Sequence, residues 1–180
     1  FFQGLCAGLA GPTTPAPALQ LDRRWLESCH PSIPAAANPA KQIALHLYAH
    51  VSLVWADTEA FAGVAADWQS RLLLYAETAA IFATVDEMRG LWSMARFPNF
   101  WANGVRGVEL TTGTAAASDR LHMLLQRRRI KTMRIAAPGA SPAALCAHLL
   151  ALGEWVALYA ARLYQVDPAD RVPLAYLGLE

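Results

Sequence analysis

Charge is scarce in this chain. Only 16% of its residues are Asp, Glu, Lys or Arg, while 55% are apolar; an average chain carries roughly 25% charged residues. Such a chain hides much of its surface, either in its own interior or against a partner. The formal net charge is +1, so there is no electrostatic basis for binding nucleic acid or an anionic membrane. Cys6, Cys29 and Cys146 are odd in number and scattered. They suit neither a disulfide framework nor a metal-ligand spacing, and a reducing, cytoplasmic location is expected. Uninterrupted apolar runs of about 18 residues are missing, so no transmembrane helix is expected. The opening Phe1-Phe2-Gln3-Gly4 has no Met and no basic region, and reads as a tag remnant or an internal start rather than a signal peptide. Also missing are a Walker loop, Gly-x-Gly-x-x-Gly, His-Glu-x-x-His and Gly-x-Ser-x-Gly. Those absences remove several common enzyme classes and leave no cofactor and no metal implied.

What is present is punctuation and periodicity. Pro12, Pro15, Pro17, Pro31 and Pro34 break the first stretch, because proline fixes φ and removes a donor. Residues 1–11 suit a short helix and 21–27 one or two helical turns. Residues 1–37 are thus expected to form an arm or interdomain segment, and 38–180 one domain. Asn38-Pro39 is an N-cap followed by the residue favoured in the first turn, opening a helix of about ten residues. Val51 to Ala56 is a short apolar run, as in a strand buried on both faces. Phe61, Val64, Ala65, Trp68 and Leu72 follow at helical spacing. Further strands are expected near 79–84, 105–110 and 131–136. Between them lie a short helix opened by Asp86 and Glu87 and a longer one starting at Ser118. Ser141-Pro142 then repeats the cap signature, and Leu145, Leu149, Leu152, Val156, Tyr159 and Leu163 mark a long helix over 141–165. Strands alternating with helices predict an α/β fold, a parallel sheet of four or five strands with helices on both faces.

The candidate functional residues each have a plainer reading. His46 and His50 lie four apart, a spacing able to hold a metal, but no third ligand is evident. Arg127-Arg128-Arg129 suits a phosphate, yet such runs more often close a helix, where cations complement the dipole. Thr111-Thr112-Gly113-Thr114 follows a strand and precedes a helix, where backbone amides and hydroxyls can cradle an anion. Asp57-Thr58-Glu59 occupies the same kind of place after the first strand. Open parallel sheets bind ligands there, although capping and plain loops account for such residues too. Glu77 sits where a helix hands over to a strand and is the candidate base.

Three stretches carry a resemblance. Asn38-Pro39-Ala40-Lys41-Gln42-Ile43-Ala44, the helix from Ala62 to Trp68, and Gly153-Glu154-Trp155-Val156-Ala157-Leu158-Tyr159-Ala160 followed by Val166-Asp167-Pro168 resemble, in order and separation, the C-terminal sugar isomerase (SIS) half of the bifunctional phosphoglucose/phosphomannose isomerases. The resemblance spans roughly residues 38–177. It implies a three-layer, flavodoxin-like SIS domain and a family that interconverts aldose and ketose phosphates without a metal. In that family a glutamate moves the proton, a histidine assists ring opening and a lysine near the C-terminus completes the set. The phosphate loop belongs to an N-terminal SIS domain.

Aligned on those motifs, the glutamate falls on Tyr75 or, with a shift, Glu77. Arg89-Gly90-Leu91-Trp92 stands in place of the histidine stretch, and the lysine falls near Gly178. Proton transfer needs a titratable group within reach, and two of the three are missing. The expected function is therefore a sugar-phosphate-binding SIS domain, catalytically degenerate, with a regulatory or scaffold role. The alternative is part of an active aldose–ketose isomerase acting on glucose 6-phosphate and fructose 6-phosphate. The expected ligand contacts are Asp57, Thr58, Glu59, Thr111, Thr112, Gly113 and Thr114, with Glu77 as the catalytic candidate. The expected partner is a second copy, most simply in a dimer, or a missing N-terminal SIS domain.

Overall fold

Helix α1 (Arg23–Glu27) starts where the Asp22 side chain accepts a hydrogen bond from the Trp25 amide. In the computed structural model the described residues are 22–92, 103–111, 116–139 and 141–169; the short helix expected over 1–11 lies outside them. Asn38 then does two jobs. Its Oδ1 accepts from the Lys41 amide at 3.0 Å, capping α2 (Pro39–Leu47), and its Nδ2 donates to the His30 carbonyl at 3.1 Å. A fully buried amide is thereby satisfied at both ends.

The chain continues through β1 (Val51–Ala56), α3 (Ala62–Ala76), β2 (Ala80–Ala83), and the single turn α4 (Val85–Glu87) that runs on as a π-helical turn over Met88–Trp92. It then forms β3 (Val105–Thr111), α5 (Ala116–Arg127), β4 (Lys131–Ala136) and the long α6 (Pro142–Tyr164). Each strand lies within a residue or so of its expected place, and the long helix is where the leucine spacing puts it. Helix α6 is long and apolar enough to cross a membrane by length and composition. Here its buried side chains, among them Leu149, Leu152 and Val156, pack in the core against α2 and α3.

All strand pairs are parallel, in the order β2-β1-β3-β4. One face of the sheet, carrying Val54, Ala56, Val108 and Leu110, is covered by α2, α3 and α6. The other, carrying Leu53, Trp55 and Ala83, is covered by Met88 and by Leu121 and Leu125 of α5. This is a three-layer α/β architecture.

Two close approaches set the layers. Trp68 of α3 is buried, and its indole N–H donates to the Leu149 carbonyl of α6 at 2.8 Å. It fits because position 153 is glycine: a Cβ there would lie 2.6 Å from Trp68 Cδ1. On the opposite face, Gly107 of β3 makes room for the Trp55 ring, since a Cβ would meet Trp55 Cζ3 at 2.8 Å and Thr132 Cγ2 at 2.9 Å.

The segment before α2 packs on the domain. Cys29 is fully buried in the main core, Trp25 meets the ring of His148 edge-on, and the Tyr159 hydroxyl donates to the Cys29 carbonyl. Lys41 Nζ adds bonds to the Pro31 and Ile33 carbonyls, each at 2.7 Å.

The two glycine environments give substitutions of opposite sign. Gly153→Ala forces the Trp68 ring out of its slot, and overpacking of this kind costs about 1–3 kcal/mol, enough to outweigh the helix-propensity gain. Gly63, on the exposed side of α3, has nothing within 4 Å of where a Cβ would stand, so Gly63→Ala stabilises by about 0.5–1 kcal/mol. Urea denaturation of both variants, followed by circular dichroism, measures the two shifts.

Candidate functional site

In the order β2-β1-β3-β4 the chain reverses its direction of travel across the sheet between β1 and β3, and open α/β sheets bind ligands in the crevice outside the strand ends at that point. Asp57 leaves β1 there and Thr111 ends β3. The two strand ends are tied together: the Asp57 amide donates to the Leu110 carbonyl at 3.0 Å, and the Thr111 hydroxyl donates to Asp57 Oδ2 at 2.7 Å. Asp57 is 5% exposed. Thr58 follows, its Oγ1 buried without a hydrogen-bond partner among the described residues. Glu59 is exposed and opens the 3-10 turn, Glu59–Phe61, that leads into α3. Thr112, Gly113 and Thr114 lie outside the described residues.

Glu77 is not brought to this crevice. It caps α3 in the left-handed region, at φ 48°, and is exposed. It precedes β2, so it sits at the amino-terminal edge of the sheet. Its neighbour Thr78 donates to the Tyr164 hydroxyl at 3.3 Å, and that hydroxyl also accepts from the amide of Ala49, just ahead of β1. Since each strand residue advances about 3.3 Å, the length of β1 separates Glu77 from Asp57 by roughly 15 Å or more. One ligand the size of a hexose phosphate does not touch both.

A family model described as the bacterial phospho-glucose isomerase C-terminal SIS domain matches residues 36–177. The chain belongs to this family. No curated protein sequence matches it significantly. Among solved structures, a glucose-6-phosphate isomerase like protein from Thermus thermophilus is similar, with 21% identity, TM-score 0.67 and coverage of 86% of this chain. A glucosamine-6-phosphate deaminase from Thermotoga maritima is similar at 15% identity and TM-score 0.50, covering 66% of this chain and 37% of that one. At these identities the likeness concerns the fold. The SIS domain spans 51% of the length of the Thermus protein.

The positions that the sequence resemblance assigns to the acid–base set are placed as follows. Tyr75 is half-buried against the main core. Arg89 and Gly90 belong to the π-helical turn after α4. Residues 176–178 lie outside the described residues.

The other motifs are placed as follows. His46 and His50 share no metal-binding group among the described residues. His46 Nε2 bonds the Gly107 carbonyl at 3.2 Å, and His50 Nδ1 the Tyr48 carbonyl at 2.6 Å. Arg127–Arg129 ends α5, with Arg129 at φ 64° and its amide on the Gln126 carbonyl.

The sequence reading missed one cluster entirely. Trp55, Glu109 and Arg134 occupy one cross-strand row on the face that α5 covers. Glu109, only 1% exposed, accepts from Trp55 Nε1 at 3.2 Å, from His122 Nε2 of α5 at 2.8 Å and from Arg134 Nε at 3.0 Å. Arg134 Nη1 also pairs with Asp119. The Thr132 hydroxyl bonds His122 Nδ1. The one legible signal was Glu109 between Val108 and Leu110 in a strand: a buried carboxylate there must be paired. Its partners, 13 and 25 residues away, could be named only once the register was known.

Burial holds His46 below the ordinary histidine value. It outweighs the Gly107 hydrogen bond, and the nearby Arg106, His50 and Lys131 push the same way as burial. The folded chain therefore favours the neutral ring while the unfolded chain protonates near pH 6.5. This contribution to stability is present above that pH and is lost as pH falls through it. Denaturant midpoints at pH 7.5 and 5.5 should differ less in His46→Gln than in the parent.

Proposed function

We propose that this SIS domain binds a sugar phosphate at the β1/β3 crevice and does not itself isomerise it. The observation that carries the reading is the Asp57–Thr111 bridge at the switch point, with the buried Thr58 hydroxyl beside it. Family membership supports the ligand class. A buried carboxylate that accepts a threonine hydroxyl is equipped to accept a sugar hydroxyl as well. The phosphate is assigned to residues 112–114, which follow Thr111 in the sequence and precede α5.

The non-catalytic half of the reading rests on chemistry. Arg89-Gly90-Leu91-Trp92 offers no histidine. Tyr75 offers a phenol where the family carries a carboxylate. Glu77 stands at the far end of the sheet from the crevice. A positioned acid or base is typically worth 10²–10⁴-fold, so a site without two of them loses most of its acceleration while backbone and hydroxyl contacts can still bind. The role is then regulatory or scaffolding, in the cytoplasm. The exposed Leu45, Tyr48, Leu73 and Leu74 are available to a second copy or to an N-terminal SIS domain. The second reading, one half of an active isomerase, is favoured by the coverage of only 51% of the Thermus protein: a preceding half would supply the phosphate loop.

Hexose 6-phosphates should raise the melting temperature of the purified chain, since a ligand at 100 Kd adds about 2.7 kcal/mol. Thr111→Val and Asp57→Asn should each abolish the shift. A coupled assay should detect no interconversion of glucose 6-phosphate and fructose 6-phosphate. A shift that survives both substitutions moves the site elsewhere, and turnover eliminated by Glu77→Gln overturns the non-catalytic reading.

A further inference from the structure

The cluster around Glu109 borders an open groove of about 470 Å³, lined by Asp119, His122, Met123, Gln126, Thr132 and Arg134. The groove lies between α5 and the edge strand β4, on the face of the sheet away from α6. The sugar-phosphate reading uses none of these residues.

For a neutral ring, donor and acceptor counting gives one order of protons. An ionised carboxylate only accepts, so His122 Nε2, bonded to Glu109 Oε2 at 2.8 Å, carries the hydrogen. In the neutral ring Nδ1 is then the acceptor, and it takes the Thr132 hydroxyl. The result is a carboxylate, an imidazole and a hydroxyl in sequence, with the carboxylate buried and the hydroxyl on the groove wall. A base oriented by a third group and in hydrogen-bond reach of a hydroxyl is the signature of an activated nucleophile, recognised by geometry rather than by chain order. Trp55 and Arg134 hold Glu109 in place from both neighbouring strands. Arg134, two residues from Thr132 on the same face of β4, stands on the same wall, paired there with Glu109 and Asp119. Met123, 55% exposed, adds an apolar surface.

We propose that this groove is a second site, in which Thr132 acts as a nucleophile toward short-chain carboxylic esters and transfers their acyl group to water. Thr132 Oγ1 attacks the acyl carbon and its proton passes to His122 Nδ1. The bond from Oγ1 to the acyl carbon forms, the bond to the leaving alcohol breaks, and His122 returns the proton to that alcohol. Water then attacks the acyl-threonine, giving a proton to His122. The ester bond to Oγ1 breaks, the carboxylic acid departs and Thr132 recovers its proton. Glu109 is a positioning residue: it keeps Nε2 protonated so that Nδ1 faces the hydroxyl.

The purified full chain, incubated with p-nitrophenyl acetate and separately with a fluorophosphonate, tests this. The expected results are p-nitrophenol release above the buffer rate and a fluorophosphonate adduct located on Thr132 by peptide mass spectrometry. Thr132→Val, close to isosteric, should abolish both, while Thr132→Ser retains them. His122→Gln should slow release by about 10²-fold or more. Glu109→Gln, which can donate to the ring and reverse its tautomer, should lower release and alter its pH profile, with Glu109→Asp restoring part of the activity. Circular dichroism melts of each variant report whether it is folded. An adduct on another residue, or a folded Thr132→Val that matches the parent in ester turnover, overturns the proposal.

Discussion

The contact on which the fold turns is the Trp68 indole lying against Gly153. Helices α3 and α6 come together at this point, and the indole N–H reaches the Leu149 carbonyl inside α6. That bond lets a large polar-edged ring be buried without leaving a donor unsatisfied. Around it the small residues Ala157, Ala160 and Ala161 are buried along α6, so the helix stays close to its neighbours for several turns. The chain's low charge follows from the same fact. A 23-residue helix with most of its circumference against other elements has little surface on which to carry charge.

The two faces of the sheet solve different problems. On the α6 face the strands present Val54, Ala56, Val108 and Leu110 to three helices, and no buried charge is needed. The other face has α5 and a short turn, with β4 at the edge half-exposed along its length. There the sheet carries Glu109, a carboxylate that would be costly in isolation and is instead surrounded by an indole, an imidazole and a guanidinium. Removing one partner of a buried charge commonly costs more than the pair itself contributes. The cluster thus acts as a unit, and Gly107 belongs to it as much as any charged residue does. Without the space above Gly107, Trp55 would not lie flat enough to reach across to Glu109, and Thr132 would be pushed from His122.

The architecture was legible in the sequence because its signals are local. Asn38-Pro39 and Ser141-Pro142 cap helices where such pairs usually do, and the leucine spacing of 145–163 could be satisfied only by one long helix. The positions of Asp57 and Thr111 were legible too, since strand ends in a parallel sheet are set by the alternation of elements. Their hydrogen bond was not, because it depends on β1 and β3 being neighbours. Glu77 shows the converse. As a residue between a helix and a strand it looked equivalent to Asp57, but helix-to-strand and strand-to-helix junctions lie at opposite ends of a parallel sheet. The same non-local register hid the Glu109 cluster, whose members come from β1, β3, α5 and β4. The segment 22–37, read from its prolines as an arm, packs through Cys29 and Trp25, contacts made with α6 more than a hundred residues away.

Electrostatics also constrains how any sugar phosphate would sit at the crevice. Asp57 is nearly buried. Two like unit charges 4 Å apart near a protein surface repel by about 4 kcal/mol, falling to roughly half that at twice the distance. That exceeds what one hydrogen bond to a charged group typically returns, about 1.5–3 kcal/mol. On the proposed reading, the phosphate would therefore be driven away from Asp57 and the sugar hydroxyls toward it. In that orientation the carboxylate accepts from the ring substituents and Thr58 has a partner for its buried oxygen. The far edge of the sheet, with Glu77, would remain outside the reach of such a molecule. On the proposed reading, such an arrangement would recognise the hydroxyl pattern of a sugar without a group placed to move a proton between its carbons, so that binding would be separate from catalysis.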